Sequence, residues 1–250
     1  MSSQAASAAE RGAGSLVRQA MQAVTAHIRV HALRVGDTLP GEGHFAAELG
    51  VSRAVMREAF GALAALNLIE VANGRRPRVA ALDGSVMATS LDHAVSTAQV
   101  SVPQIWDVRR TLELRTAFLA AEHRTQAEAA RLVEIAEAMA RDADHLQVMT
   151  AHDIAFHQTV ARASRNELFN QIVASFAPMM EIAVPTAWRT RVAIDQRQIM
   201  LDRHHDVARA IAAADPPAAQ AAMEAHFDTS IGDLLAASSP ETTVVDQPRL

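Results

Sequence analysis

The 250-residue chain has no cysteine, no tyrosine and no lysine. Without thiols it can form neither disulfides nor thiolate metal ligands, which fits a reducing, cytoplasmic setting. Aromatic residues make up only 4% of the chain. No run approaches the roughly 18 consecutive apolar residues that a membrane-spanning helix needs, so no membrane association is expected. Residues 1–13 are rich in Ser, Ala and Gly and lack the apolar stretch of a signal peptide; they read as a disordered tail.

What is present points to helices. Half of the residues are apolar and Ala is abundant, which favours helix over sheet. The length accommodates two ordinary domains. The net charge of −5 is unevenly spread: residues 1–80 hold nine Arg against six acids, and residues 81–250 fourteen Arg against twenty-two. An acidic chain with a basic first third can still bind nucleic acid through that third.

In the first third, apolar residues at helical spacing place a helix over Ser15–Val30, capped by Ser15. A short helix over Gly43–Leu49 is stopped by Gly50, and Ser52 caps a third helix reaching Leu66. Val55, Ala59, Ala62, Leu63 and Leu66 share one face of that third helix, with Phe60 expected buried near its boundary, while Arg53 and Arg57 lie opposite. Two Arg on the exposed first turns of a helix that follows a helix-Gly-turn are what a recognition helix in a major groove requires. A strand over Leu68–Val71, the turn Asn73-Gly74, and Val79–Leu82 pairing back form a hairpin, whose Gly74 and Arg75 suit phosphate or minor-groove contact.

Residues 83–102 read as a linker with room for one short helix. From there the pattern is helical: Pro103–His123, Gln126–Arg141, Leu146–Ala163, Asn166–Ile182, Asp195–Ala214 and Pro216–Leu235, with Pro178 and Pro185 kinking or ending the fourth. Residues 238–250 read as a second tail. The fold class is therefore mainly α: a winged helix-turn-helix domain over 14–82, then an all-α helical-bundle effector domain over 103–237. Within the bundle, Asp153 and His157 stand four apart on one helix, and His205 and His226 fall on the last two. Three imidazoles and a carboxylate suit a divalent cation, Zn²⁺ first, with Ni²⁺, Mn²⁺ or Fe²⁺ as alternatives. The plainer reading is that most of the eleven His are surface or simply hydrogen-bonded.

Leu39-Pro40 with Glu42, then Leu49-Gly50-Val51-Ser52-Arg53, Arg57-Glu58-Ala59 and Leu63 resemble the winged helix-turn-helix of the GntR family of bacterial transcription regulators. The resemblance implies operator contacts by Ser52, Arg53, Arg57 and Gly74. Two positions depart from the family pattern: Gly43 stands where many relatives carry Arg, and Arg76-Pro77-Arg78-Val79 replaces the usual end of the wing. Arg109 with Glu113, the Asp153-Ile-Ala-Phe156-His157 run, Asn166, and the pair His205 and His226 resemble the FCD effector domain of the FadR-like branch. That resemblance implies a metal on Asp153, His157, His205 and His226, and an effector carboxylate met by Arg109, for which an ion pair with Glu113 is the alternative role. It further implies a homodimeric, ligand-responsive regulator, most often a repressor, released from double-stranded operator DNA by a sugar acid or other small organic acid. An acyl-CoA-responsive regulator of the same branch and a metal-dependent hydrolytic enzyme are the competing readings; with no residue placed as a general base, the enzyme is not expected.

Overall fold

A computed structural model describes residues 2–191 and 194–238, with side chains placed over 14–191 and 195–230. Among the described residues it contains eleven helices and two short strands. The chain divides into two compact units, Met1–Val86 and Met87–Leu250.

The first unit comprises α1 (Ser2–Val30), α2 (Glu42–Leu49), α3 (Arg53–Ala65), β1 (Ile69–Glu70) and β2 (Arg78–Val79). Val17, Ala20 and Val24 of α1, Phe45 of α2, and Met56, Ala59, Phe60 and Leu63 of α3 form one apolar core with Leu39 and Ile69. The turn between α2 and α3 follows from two residues. Gly50 sits in the left-handed region at φ 65°, and its N–H closes α2 on the Ala46 carbonyl. Ser52 then caps α3, its hydroxyl accepting from Val55 N at 3.3 Å.

Two expectations here are corrected. α1 starts at Ser2, so residues 2–13 are helix rather than a tail; five of those residues are Ala, the strongest helix former. The second wing strand is Arg78–Val79 rather than Val79–Leu82, in register Ile69↔Val79 and Glu70↔Arg78. It is held on both sides. Val79 N donates to Asp37 O, Gly36 N to Val79 O, and Leu39 N to the carbonyl of Pro77. Pro77 lacks an N–H, but its carbonyl is the group this pairing uses.

α4 (Ser85–Ser96) lies within the expected linker and buries no residue. The second unit then runs α5 (Val102–His123), α6 (Gln126–Arg141), α7 (Leu146–Ala163), α8 (Glu167–Ser175), α9 (Ala177–Thr190), α10 (Ile194–Ala212) and α11 (Pro216–Ser238). Capping boxes at Ser101/Gln104 and Thr125/Glu128 open α5 and α6, and Asn166 caps α8. α5 packs on α11, and α6 on α7 and α10, around Leu132, Ile135, Phe156, Val160, Ile211 and Phe227. The single helix expected over Asn166–Ile182 is two: α8 ends at Ser175 with Phe176 as its cap, and Pro178 lies in the first turn of α9, where its missing N–H costs nothing. Pro185 lies inside α9 without ending it. The tail expected from Ser238 falls, beyond Ser238 itself, outside the described residues.

Candidate functional site

The inward seams of four helices converge inside the second unit. α5 supplies Arg109 and Glu113, α7 Asp153 and His157, α10 His204, and α11 His226, and all six are buried. One ligand atom from each of His157, His204 and His226 lies within 4.8 Å of the others, the single such cluster among the described residues. His204 Nε2 stands 3.2 Å from Asp153 Oδ1, which adds the carboxylate to the group.

Of the four residues expected as ligands, the structure brings together Asp153, His157 and His226 and leaves His205 apart. His205 is half-buried and outside the cluster; its neighbour His204 is inside. The reason is helical phase. α10 buries Met200, Leu201, His204, Val207, Ala208 and Ile211, a single seam at helical spacing, and position 205 is turned about 100° from it.

The donor set fits a cation on three observations. His204 Nδ1 lies 2.9 Å from the Met200 carbonyl, so Nδ1 carries a proton and Nε2 presents its lone pair. That lone pair meets the Asp153 carboxylate, so two acceptors face each other and need a shared proton or cation between them. His157 Nδ1 meets the Glu113 carboxylate, which likewise leaves Nε2 as the ligand nitrogen, in the carboxylate–imidazole arrangement that orients metal-binding histidines. His226 Nδ1 is buried with no hydrogen-bond partner, an expensive condition unless something else engages it. Burial first, then the neighbouring His204, His157, Arg109 and Arg191, hold His226 well below the usual imidazole pKa, which favours the neutral, ligating form. Burial raises the pKa of Asp153, but the His204 hydrogen bond and the nearby His157, His204 and Arg109 side chains outweigh it, bringing it to about 2. Imidazoles and one carboxylate suit several borderline divalent cations and do not choose among them.

Arg109 makes the ion pair considered for it and also borders the cavity. Its Nε is 2.9 Å from Glu113 Oε1 in a buried ion pair, and its guanidinium lies 4.9 Å from the Trp106 ring centroid. It also lines the cavity that holds Asp153, His157, His204 and His226. Burial pushes the Glu113 carboxyl up, and Arg109 and His157 pull it further down, to a net lowering. Glu113 thus links the cavity's cation to its histidine. Glu113→Gln keeps the shape but removes the charge, and is expected to cost about 1–3 kcal/mol, read as a lower urea midpoint. Unchanged stability would mean that the Arg109–Glu113–His157 chain contributes nothing. The cavity also takes in Trp188 and Arg191, both buried, whereas Arg189 is exposed. Its volume is about 30 Å³, roughly the space of one water.

In the first unit the expected DNA contacts are all on the outside. Arg53 and Arg57 project from the first turns of α3, opposite the buried Met56, Ala59, Phe60 and Leu63. Arg57 makes only a loose contact with Glu42, 3.9 Å away, and is 78% exposed, so both guanidiniums are available to a duplex. Gly43 lies beside Arg53: a Cβ built there would stand 3.6 Å from its Nη2, an ordinary contact that does not require glycine. Gly74, at φ 72°, forms the tip of the wing beside the exposed Arg75.

A short helix, a glycine turn, a second helix with free Arg on its wet face and a small wing, followed by a separate helical bundle with a polar cavity, define a DNA-binding regulator with an effector-type domain. Residues 16–79 match the family described as bacterial regulatory proteins, gntR family, and residues 104–229 match the FCD domain. The chain belongs to the GntR family of bacterial transcription regulators, in the branch that carries an FCD domain, and is a DNA-binding regulator rather than an enzyme. It is 30% identical to the HTH-type transcriptional regulator LutR of Bacillus subtilis over 81% of this chain and 93% of that protein. It is 30% identical to the Glc operon transcriptional activator of Escherichia coli, over 79% and 80%, and 25% identical to the HTH-type transcriptional repressor NanR of Salmonella newport, over 81% and 78%. The fold is shared with a GntR protein of Streptococcus agalactiae, with a TM-score of 0.63 and 24% identity over 85% of this chain and 97% of that one. No described helix is long and apolar enough to cross a membrane.

Proposed function

We propose that the chain is a cytoplasmic, homodimeric repressor whose grip on operator DNA is released by a small carboxylate bound in the Asp153/His157/His204/His226 cavity. The observation that carries this reading is the unpartnered, buried His226 Nδ1 beside the Asp153–His204 pair. That arrangement asks for a cation, and Arg109 and Arg191 line the same space. Asp153, His157, His204 and His226 would hold the ion, Zn²⁺ first; a divalent cation there supplies a positive centre for carboxylate oxygens. Arg109 would orient the acid by charge, and Trp106 and Trp188 would exclude water.

The switch follows from size. A cavity of about 30 Å³ admits a sugar or organic acid only if its walls move. Among the apolar walls are Ala183, Ala187 and Trp188 of α9 and Met200 and Leu201 of α10. The filled and empty states therefore differ in how α9 and α10 pack, and an acid that prefers the filled state shifts the population toward it. Dimerisation is expected because operator half-sites repeat along the duplex.

Operator binding should weaken steeply with salt. If Arg53, Arg57 and Arg75 of both protomers each displace a counterion, affinity should fall by about a thousandfold between 50 and 200 mM salt. An affinity flat across that range, measured by fluorescence anisotropy, would rule out these charged contacts with the duplex. The proposal itself is tested by thermal-shift profiling of the metal-loaded protein with citrate, gluconate, lactate and acyl-CoAs. Stabilisation by an acid that is lost in His204→Ala supports it; acid stabilisation that persists in that variant places the ligand elsewhere. A regulator of acyl-bearing ligands is the second reading. It draws on an apolar cavity of about 200 Å³ beside Trp106, lined by Val102, Ile105, Met179 and Ile182. Stabilisation by acyl-CoAs alone would favour it.

A further inference from the structure

The winged-helix unit carries its own group of histidines, which the operator contacts do not use. His27 and His31 stand four apart on α1, and their rings stack with centroids 4.0 Å apart. His31 Nδ1 lies 3.0 Å from the His27 carbonyl, so it holds the proton and Nε2 keeps the lone pair, as in His204 of the bundle. From α2, His44 and Glu48 form a second pair at the same spacing, with His44 Nε2 3.5 Å from Glu48 Oε2. Phe45 ties the two pairs together: His27 meets its ring edge-on at 5.3 Å and His44 at 5.6 Å. His27, His31 and His44 line one open hollow beside Pro40 and Arg76.

We propose that His27 and His31, joined by His44 and Glu48 from α2, form a second divalent-metal site on the DNA-binding unit. Two imidazoles one helical turn apart present nitrogens to the same point and chelate without backbone movement. Neutral imidazole with one carboxylate favours a borderline cation such as Zn²⁺ or Ni²⁺ over Mg²⁺ or Ca²⁺. The donors are not gathered as tightly as those of the bundle, where three lie within 4.8 Å. His44 and Glu48 have side chains 59% and 58% exposed, so they are free to rotate onto an ion held by the α1 pair. The open setting makes this the weaker of the two sites, and a bound ion staples α1 to α2, the helix that precedes the recognition helix.

The test is a Zn²⁺ titration of chelator-stripped, full-length protein by isothermal titration calorimetry. The wild type is expected to take up a second, weaker equivalent after the one held in the bundle. His27→Gln/His31→Gln should lose the weaker equivalent and keep the tight one, whereas His204→Ala should do the reverse. The substituted α1 rings lie on the surface side of the unit, and an unchanged circular dichroism melt confirms that the variant folds. His44→Ala should weaken the second site without abolishing it. Uptake by the double variant equal to that of wild type, whatever the number of equivalents, would overturn the proposal. So would loss of the weaker equivalent in His93→Gln/His123→Gln, which removes exposed His outside the cluster. If the bundle binds no metal, the His27/His31-dependent uptake remains and is read separately.

Discussion

Arg53→Ala/Arg57→Ala is expected to lose specific operator binding while keeping its fold. Each guanidinium fork on a guanine edge contributes about 1–3 kcal/mol of discrimination, so losing two weakens each half-site by at least about thirtyfold. Both side chains are exposed, and α3 is anchored from its other face by Met56, Ala59, Phe60 and Leu63, so the substitutions leave the core untouched. The Ser52 cap uses a side-chain oxygen and the Val55 N–H, which neither substitution alters. A gel shift on duplexes selected with the wild-type protein reads the effect. Retained sequence-specific binding by the double variant would sink the assignment of α3 as the recognition helix.

A pair of neighbours gives the other large effect. His204→Ala should purify without the tightly held metal of the bundle, and His205→Ala with the wild-type content. Changing a group that only orients a ligand already costs about 10–100-fold in metal affinity, so deleting a ligand itself should cost more. His204→Ala also leaves Asp153 without its hydrogen-bond partner. His205 is half-buried and outside the cluster, so its loss leaves the donors in place. Elemental analysis of the two variants decides. Equal metal in both would move the site away from α10, and loss in His205→Ala alone would restore the reading made from spacing.

That adjacent pair also shows how far the residues alone can be read. Asp153, His157 and His226 could be grouped because Asp153 and His157 stand four apart on one helix and His226 lies on the last helix; all three prove to be buried among apolar neighbours. Apolar spacing on α10, through Leu201, Ala208 and Ile211, selects His204 over His205. The signal was present, but the match of two adjacent histidines to a family position obscured it. Arg109 was legible as a cavity residue, whereas Glu113 was seen only as its partner; that it also grips His157 depends on α5 and α7 lying side by side. In the DNA-binding unit, Gly50, Ser52 and the spacing of Ala59 and Leu63 fixed the turn and the face of α3 locally. The wing was less legible, because β2 depends on a non-local partner, the segment Asp37–Leu39. α4 gave no pattern because it buries nothing, and amphipathic spacing arises only where a helix has a core to face. The break between α8 and α9 was blurred because Pro both kinks helices and opens them.

The central claim is that occupancy of the bundle cavity governs operator binding by the winged-helix unit of the same chain. It is tested most directly by measuring operator affinity, by fluorescence anisotropy, for metal-loaded wild type and His204→Ala with and without an acid that stabilises the wild type. The account predicts that this acid weakens wild-type binding by about 5- to 150-fold and leaves His204→Ala unmoved. An acid that stabilises the wild type yet leaves its operator affinity unchanged, or shifts both proteins equally, would contradict it.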